Sequence, residues 1–211
     1  MLPFEHAVAA TRGARDYQED AAAFRPDGGE GIMLSSEGPA YDAGGFAVLA
    51  DGMGGHAGGA LASRTVCEEF LAAAAEHSGS SVDRLIAALK AANKAVAGKI
   101  EENPLLAGMG STLFGTAFGP GGIEWVSVGD SPLFLFRRGE VALLNEDHSL
   151  APELDRMVAE GKLTEMEARR DPRRHMLRSA VTGEDIDLLD VSQRPLALEA
   201  GDYVVLASDG I

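Results

Sequence analysis

An α+β fold, with helices laid against β-sheets, is what this sequence predicts. Short apolar runs recur along the chain, set apart by Gly- and Pro-containing turns. Two longer neighbouring segments, 60–77 and 81–103, are helical in composition. Strands in number beside adjacent long helices describe sheets covered by helices. The hydrophobic content of 45% is that of an ordinary globular protein, which argues against a disordered or fibrous chain. A chain of 211 residues is long enough to bury a sizeable core, and it is read as one domain, 1–211.

The elements follow in order. Residues 26–40 (PDGGEGIMLSSEGPA) are turn-rich and form an excursion between strands. Residues 46–50 (FAVLA) make a short, continuously apolar strand. Within 81–103, Val82, Leu85, Ile86 and Leu89 recur at i, i+3, i+4 and i+7, one face of a helix. Ser81 is the expected N-cap, with Asp83 in the first turn and Pro104 beyond the end. The short link between the two helices predicts an antiparallel pair lying on a sheet. A β meander comes next: 112–118 turns through GPGG into 123–128, then 133–137, then 141–144 after the Arg138-Gly139 turn. Residues 150–161 read as a short helix closed by Gly161. Thr164-Glu165-Met166-Glu167 has the capping-box pattern that opens another helix, which Asp171-Pro172 ends. A last strand, 203–207, enters ASDGI.

Charge and cysteine usage bound the partners. The formal net charge of −15 argues against a nucleic-acid partner held by phosphate neutralisation. The same acidity suits either a solvating surface or carboxylates gathered for cations. Cys67 is the one cysteine, so no intrachain disulfide forms and a reducing cytoplasm is the natural home. The start, MLPFEHAVAATRG, has neither a basic region nor a continuous apolar stretch of the secretory kind. No run approaches the ~18 apolar residues of a membrane helix. The expectation is a soluble, cytoplasmic protein with no membrane partner.

The chemistry is concentrated at strand ends. FAVLADG and YVVLASDG share one plan, an apolar strand that runs into Asp-Gly. A strand without polar alternation is expected to be buried on both faces, so its exit lies at the rim of a core. Asp51 and Asp209 would then project into a cleft. Glycine beside each lets another group approach the backbone and frees a carbonyl to act as a ligand. Such oxygen donors suit hard cations, Mg²⁺ or Mn²⁺. Taken singly, each Asp-Gly also reads as a common turn. The stretch TRGARDYQED adds Arg15, Glu19 and Asp20. In an extended strand Arg15 and Glu19 share a face, while Asp20 points away unless a bend redirects it. Arginine offers a planar fork to phosphate oxygens, although the segment also reads as a surface charge cluster. Asp130, in VSVGDSP, again stands at the exit of an apolar strand. The turn DGMGGHAGG lacks the Lys-Ser/Thr of a P-loop, which leaves nucleotide binding there unsupported.

Taken in order, RGARDYQEDA, VLADGMGGHAGG, Gly110-Ser111-Thr112, VSVGDSPLFLF with LLNEDHSL, and LASDG resemble the metal-dependent Ser/Thr protein phosphatases of type 2C over nearly the whole chain. The resemblance implies a four-layer αββα sandwich, two antiparallel β-sheets flanked by helices, with metals in a cleft at one end. It implies hydrolysis of phosphoserine and phosphothreonine in proteins by a water bridging two Mn²⁺ or Mg²⁺ ions. In-line attack by that water requires no Cys or Ser nucleophile, so Cys67 reads as ordinary core. The implied partners are phosphorylated proteins, substrates of a Ser/Thr kinase in signalling.

Residue by residue, Asp51 resembles the carboxylate bridging two metals, the Gly52 carbonyl a ligand of one, and Asp209 a ligand of the other. Glu19 and Asp20 resemble the acidic pair that holds metal-bound waters, Arg15 the phosphate-binding arginine, and Asp130 the ligand of a third, weaker metal. Residues 150–183 correspond to a flap over the cleft. His56 either protonates the leaving alkoxide or supports the glycine turn, because it stands five residues after Asp51 where eukaryotic relatives place theirs two after. His148 reads as structural. Complete members continue past SDG with helices and a final strand that opens with Asp-Asn and carries a further ligand. This sequence ends two residues after Asp209. The last strand and helices are therefore expected to be missing, through a shortened record or a naturally short homologue. A non-catalytic or weakly active phospho-binding or regulatory module is the alternative. Pro132, where VGDSR is usual, removes a backbone donor and marks a strand edge or bulge.

Overall fold

The computed structural model describes residues 4–11, 17–29, 44–55 and 57–209. The strands are β1 (Ala21–Pro26), β2 (Gly45–Ala50), β3 (Gly52–Met53), β4 (Gly110–Ser111), β5 (Leu113–Gly119), β6 (Gly122–Val128), β7 (Leu133–Arg137), β8 (Glu140–Leu143), β9 (Asp190–Val191) and β10 (Tyr203–Leu206). The helices are α1 (Ala57–Glu76), α2 (Ser81–Glu102), α3 (Ala151–Ala159) and α4 (Glu165–Arg170). Strands β1-β2-β5-β6-β9 form a large antiparallel sheet, β10-β7-β8 a smaller one, and β3-β4 a short ribbon.

Side-chain alternation along β5 separates two cores. Leu113 and Ala117 face the helices, where Val48, Val126 and Val128 join Val66, Phe70, Leu71, Leu85, Leu89 and Val96. Gly115 belongs to this face, and a Cβ there would collide with the Phe70 ring, so the missing side chain lets α1 sit close to the sheet. Phe114 points the other way. With Ile123 and the partly buried Phe118 and Trp125 it meets Leu133, Val204 and Leu206 of the small sheet. Helix pair, large sheet and small sheet are thus stacked, as the α+β reading requires. The outer face of the small sheet carries Phe136, Val141, Leu143, Tyr203 and Val205, all exposed among the described residues.

Three details differ from expectation. Strand β10 is not buried on both faces: Tyr203 is 65% and Val205 42% exposed, because only the inner face of the small sheet meets the core. The expected meander is split, since the chain leaves the large sheet after Val128 and enters the small one at Leu133. Pro132 stands in that crossing, where its lacking N–H breaks no ladder, and its carbonyl accepts from Ala207 N–H at 3.1 Å. Helix α2 is capped by Ser80 rather than Ser81: Ser80 Oγ accepts from Asp83 N–H at 3.2 Å while the Asp83 carboxylate accepts from Ser80 N–H at 3.3 Å. Thr164 and Glu167 make the same reciprocal pair at the start of α4, as the pattern predicts.

Helices α3 and α4 leave the sandwich together, and the chain after α4 is tied to α3. Arg174 makes a bidentate pair with Asp155, at 2.8 and 2.9 Å. Bridges Ser149↔Leu177 and Ser111↔Val181 return the chain to the sheet ends. Among the described residues no helix is long and apolar enough to cross a membrane.

Candidate metal centre

Asp51 leaves β2 one residue after the fully buried Ala50. The β2–β5 register places Thr112 opposite it. Thr112 N–H donates to the Asp51 carbonyl at 2.9 Å, Asp51 N–H donates to Thr112 Oγ1 at 2.9 Å, and Ser111 Oγ donates to the Asp51 carbonyl at 2.9 Å. The main chain under the carboxylate is therefore gripped from both sides. Beyond it the backbones crowd. A Cβ on Gly52 would strike the Gly59 carbonyl and come within 2.6 Å of the Glu19 carbonyl oxygen, so glycine is required by close approach. Ser63 Oγ donates to that Glu19 carbonyl at 2.5 Å, tying the start of α1 to the chain before β1. Glu19 itself is only 9% exposed.

Asp20 stands just before β1, whose pairing with β2 sets Ala21 against Ala50. Asp20 and Asp51 consequently leave neighbouring strand ends side by side, and Asp20 is the first of the charges that raise the Asp51 carboxyl. Asp20 Oδ2 also accepts from Ser208 Oγ at 2.9 Å, which draws in the residue before Asp209. Asp130 arrives from the crossing between the sheets. Burial first, then the charges of Asp20, Asp209 and Asp130, push the Asp51 carboxyl up to about 7. Burial and Asp209 raise Asp130 in turn, partly offset by a main-chain hydrogen bond and His175. Asp51, Asp130 and Asp209 border a cleft of about 540 Å³, which His175, Met176 and Arg178 also line.

All-oxygen donors with more negative charge than their surroundings balance are the donor set of a hard divalent cation. The residues fit such an ion, because it would relieve the repulsion that raises Asp51. Among the described residues, no three His, Cys, Asp or Glu side chains are yet drawn closely enough to enclose one. The convergence is electrostatic, not a finished cage. Arg15 and His56 lie outside the described residues.

Two other sequence readings receive an environment. His148, 3% exposed, accepts Gly129 N–H on Nδ1 at 3.2 Å and donates its main-chain N–H to the Gly129 carbonyl at 3.1 Å. Burial lowers its pKa from the usual histidine value, and its two bonds to Gly129 brace the loop before Asp130. Cys67 is 3% exposed, and burial pushes its thiol up to about 12, which makes it an inert core residue. Sequence reasoning missed the individual roles of Thr112, Ser131 and Ser208. Their only signal is a hydroxyl beside, or register-paired with, a strand-exit aspartate.

Residues 39–211 match a family model described as Protein phosphatase 2C. The chain belongs to the protein phosphatase 2C family. Within it, the serine/threonine protein phosphatase PstP of Mycobacterium tuberculosis is 35% identical over 185 residues, 85% of this chain and 34% of that protein. A putative protein phosphatase 2C-type of Streptococcus pyogenes is 33% identical over 170 residues, 78% of this chain and 66% of that protein. The chain thus spans about a third of the length of the first relative and just under two thirds of the second.

Solved 2C-type structures share the fold. A crystal structure of Mycobacterium tuberculosis PstP/Ppp superposes with a TM-score of 0.69 at 30% identity, covering 99% of this chain and 77% of that one. The catalytic domain of PstP in complex with two manganese ions gives a TM-score of 0.63 at 30% identity, covering 97% and 75%. The stacked sheets described above are the α+β sandwich of this 2C family.

Proposed function

We propose that this chain is a metal-dependent phosphatase acting on phosphoserine and phosphothreonine in proteins. One observation carries the reading: Asp51, Asp130 and Asp209, from separate stretches of chain, line one cleft with Asp20 at the neighbouring strand end, and the charges of Asp20, Asp209 and Asp130 add to burial in raising the Asp51 carboxyl to about 7. Asp51, the Gly52 carbonyl and Asp209 would hold two Mn²⁺ or Mg²⁺ ions, with Asp130 toward a third. Ions held there would supply charge neutralisation for phosphoryl oxygens and a more acidic water. Glu19 and Asp20 would orient the surrounding solvent and Arg15 would grip the phosphate. His56 would serve either as proton donor or as support for the glycine turn. Residues 150–183, read as a flap on a single domain, frame the cleft where a phosphorylated segment enters. Substrates of a Ser/Thr kinase in cytoplasmic signalling are the partners this chemistry fits, and the acidic balance disfavours nucleic acid.

The test is hydrolysis of a phosphothreonine peptide with Mn²⁺, with EDTA, and by Asp51→Asn. We expect EDTA to abolish turnover and the substitution to lower it by roughly two orders of magnitude or more, the several kcal/mol a metal clamp supplies. Undiminished hydrolysis in EDTA overturns the proposal. A second reading, a phospho-binding module without turnover, is favoured by the lack of a closed three-carboxylate group among the described residues. Two tightly bound ions together with turnover would exclude it.

A further inference from the structure

Thr112 stands where the supports of two carboxylates meet. It lies opposite Asp51 in the β2–β5 ladder, and one of the two ladder bonds expected of such a pair is present, Thr112 N–H to the Asp51 carbonyl at 2.9 Å. The other is replaced: Asp51 N–H goes to the Thr112 hydroxyl, at 2.9 Å. The carbonyl so released, 2.7 Å from Ser111 Oγ, shares that hydroxyl's one proton with the Asp51 carbonyl. The same Thr112 hydroxyl bonds Ser131 Oγ at 2.8 Å, and the two residues are each 2% exposed. Its methyl group lies against Gly129, whose φ of +108° leaves no room for a Cβ, which would fall 2.6 Å from Thr112 Cγ2. Gly129 and Ser131 flank Asp130. One side chain therefore holds the backbone of Asp51 with its hydroxyl and both neighbours of Asp130 with its hydroxyl and methyl together.

We infer that Thr112 is a positioning residue that sets Asp51 and Asp130 relative to one another, with Ser131 as its relay. The inference rests on the metal-centre reading and deepens it. Only threonine supplies both contacts. Valine keeps the shape without the hydroxyl, and serine keeps the hydroxyl without the methyl. A buried hydroxyl bridging two loops resists displacement, because breaking it leaves the partly buried Asp51 N–H and the buried Ser131 Oγ without those partners.

The test is calorimetric titration of Mn²⁺ into the 211-residue chain, wild type and Thr112→Val, Thr112→Ser and Ser131→Ala, with the metal-free melting temperature of each. Thr112→Val is expected to weaken Mn²⁺ binding about 10- to 100-fold, the usual range for partners that orient ligands. Thr112→Ser should recover most of that loss. Ser131→Ala should weaken the weakest ion selectively, and adding it to Thr112→Val should cost less than the sum. Wild-type affinities in a folded Thr112→Val, even with a lowered melting temperature, overturn the inference and leave a merely structural residue. Should Thr112→Val fail to fold, an unchanged titration in Ser131→Ala does the same. Absence of Mn²⁺ binding by the wild type would instead overturn the metal centre itself.

Discussion

Asp51 shows how strongly neighbours govern one residue. Its carboxyl is lifted from the ordinary 3.8 to about 7 when no cation is present, first by burial and then by Asp20 and Asp209. A group raised on folding binds a proton that the unfolded chain releases. Its contribution to stability is therefore fully present below about 3.8 and is lost as pH rises through about 7. We expect the metal-free protein to lose melting temperature between about pH 4 and pH 7, with a shallower slope in Asp51→Asn. Saturating Mn²⁺ should flatten the wild-type slope, since the ion takes the proton's place. Parallel slopes for wild type and variant, followed by scanning calorimetry, would contradict this. A second residue is a lone cost. Thr116 is fully buried between the sheets and its Oγ1 has no hydrogen-bond partner among the described residues. Thr116→Val should stabilise the protein by about 1 kcal/mol, or about 2–4 °C in melting temperature.

At the scale of elements, helix starts were readable because their chemistry is local. The serine at the head of α2 was placed one residue late. Ser80 and Ser81 are both hydroxyls, and only the spacing to Asp83 separates them: Ser80 is three residues before it and so forms the reciprocal cap. Denaturation in urea should find Ser80→Ala less stable by about 1 kcal/mol and Ser81→Ala within a few tenths of wild type. Strands fared unevenly. The runs at β2, β5, β6 and β7 are apolar enough to be found within a residue or so of their observed ends. Strand β1 was missed because AAAFRP opens on three alanines, which have little preference for a pleated sheet. Strands β3, β4 and β9 are two residues each, too short for any period to register. The site depends on these inconspicuous pieces, since β1 delivers Asp20 and the β3–β4 ribbon runs directly from Asp51 to Ser111.

Across the whole molecule, the two faces of the large sheet receive different covers. One is closed by α1 and α2, the other by the small sheet, and the small sheet's outer face exposes Phe136, Val141, Leu143, Tyr203 and Val205. Phe136 and Tyr203 pack edge to face there, 6.0 Å between ring centres. Contiguous apolar surface of this kind adsorbs hydrophobic dyes. Native protein should therefore raise dye fluorescence. Val141→Lys with Leu143→Lys should lower it without destabilising the fold, because those side chains are 65% and 55% exposed. Equal fluorescence from the double variant would show that the dye binds elsewhere. Apolar alternation alone could not distinguish this outer face from a covered one, and for that reason β10 was expected to be buried.

Local order in the chain determined much of what this protein is: the helical periods, the capping boxes, the strand-exit aspartates and their sequence of motifs, which together carry the 2C-type character. These are properties of neighbours along a backbone, and a sequence states neighbours directly. Tertiary structure alone decided that β7, β8 and β10 form a sheet of their own, that Asp20 lies beside Asp51, and that Asp130 and Asp209 act on the same cleft. It alone brought Thr112 and Ser131 to within 2.8 Å of each other across the sheet ends. Register between strands far apart in the chain depends on which faces are buried against which. That is a sum over the whole core, and no short stretch of residues contains it.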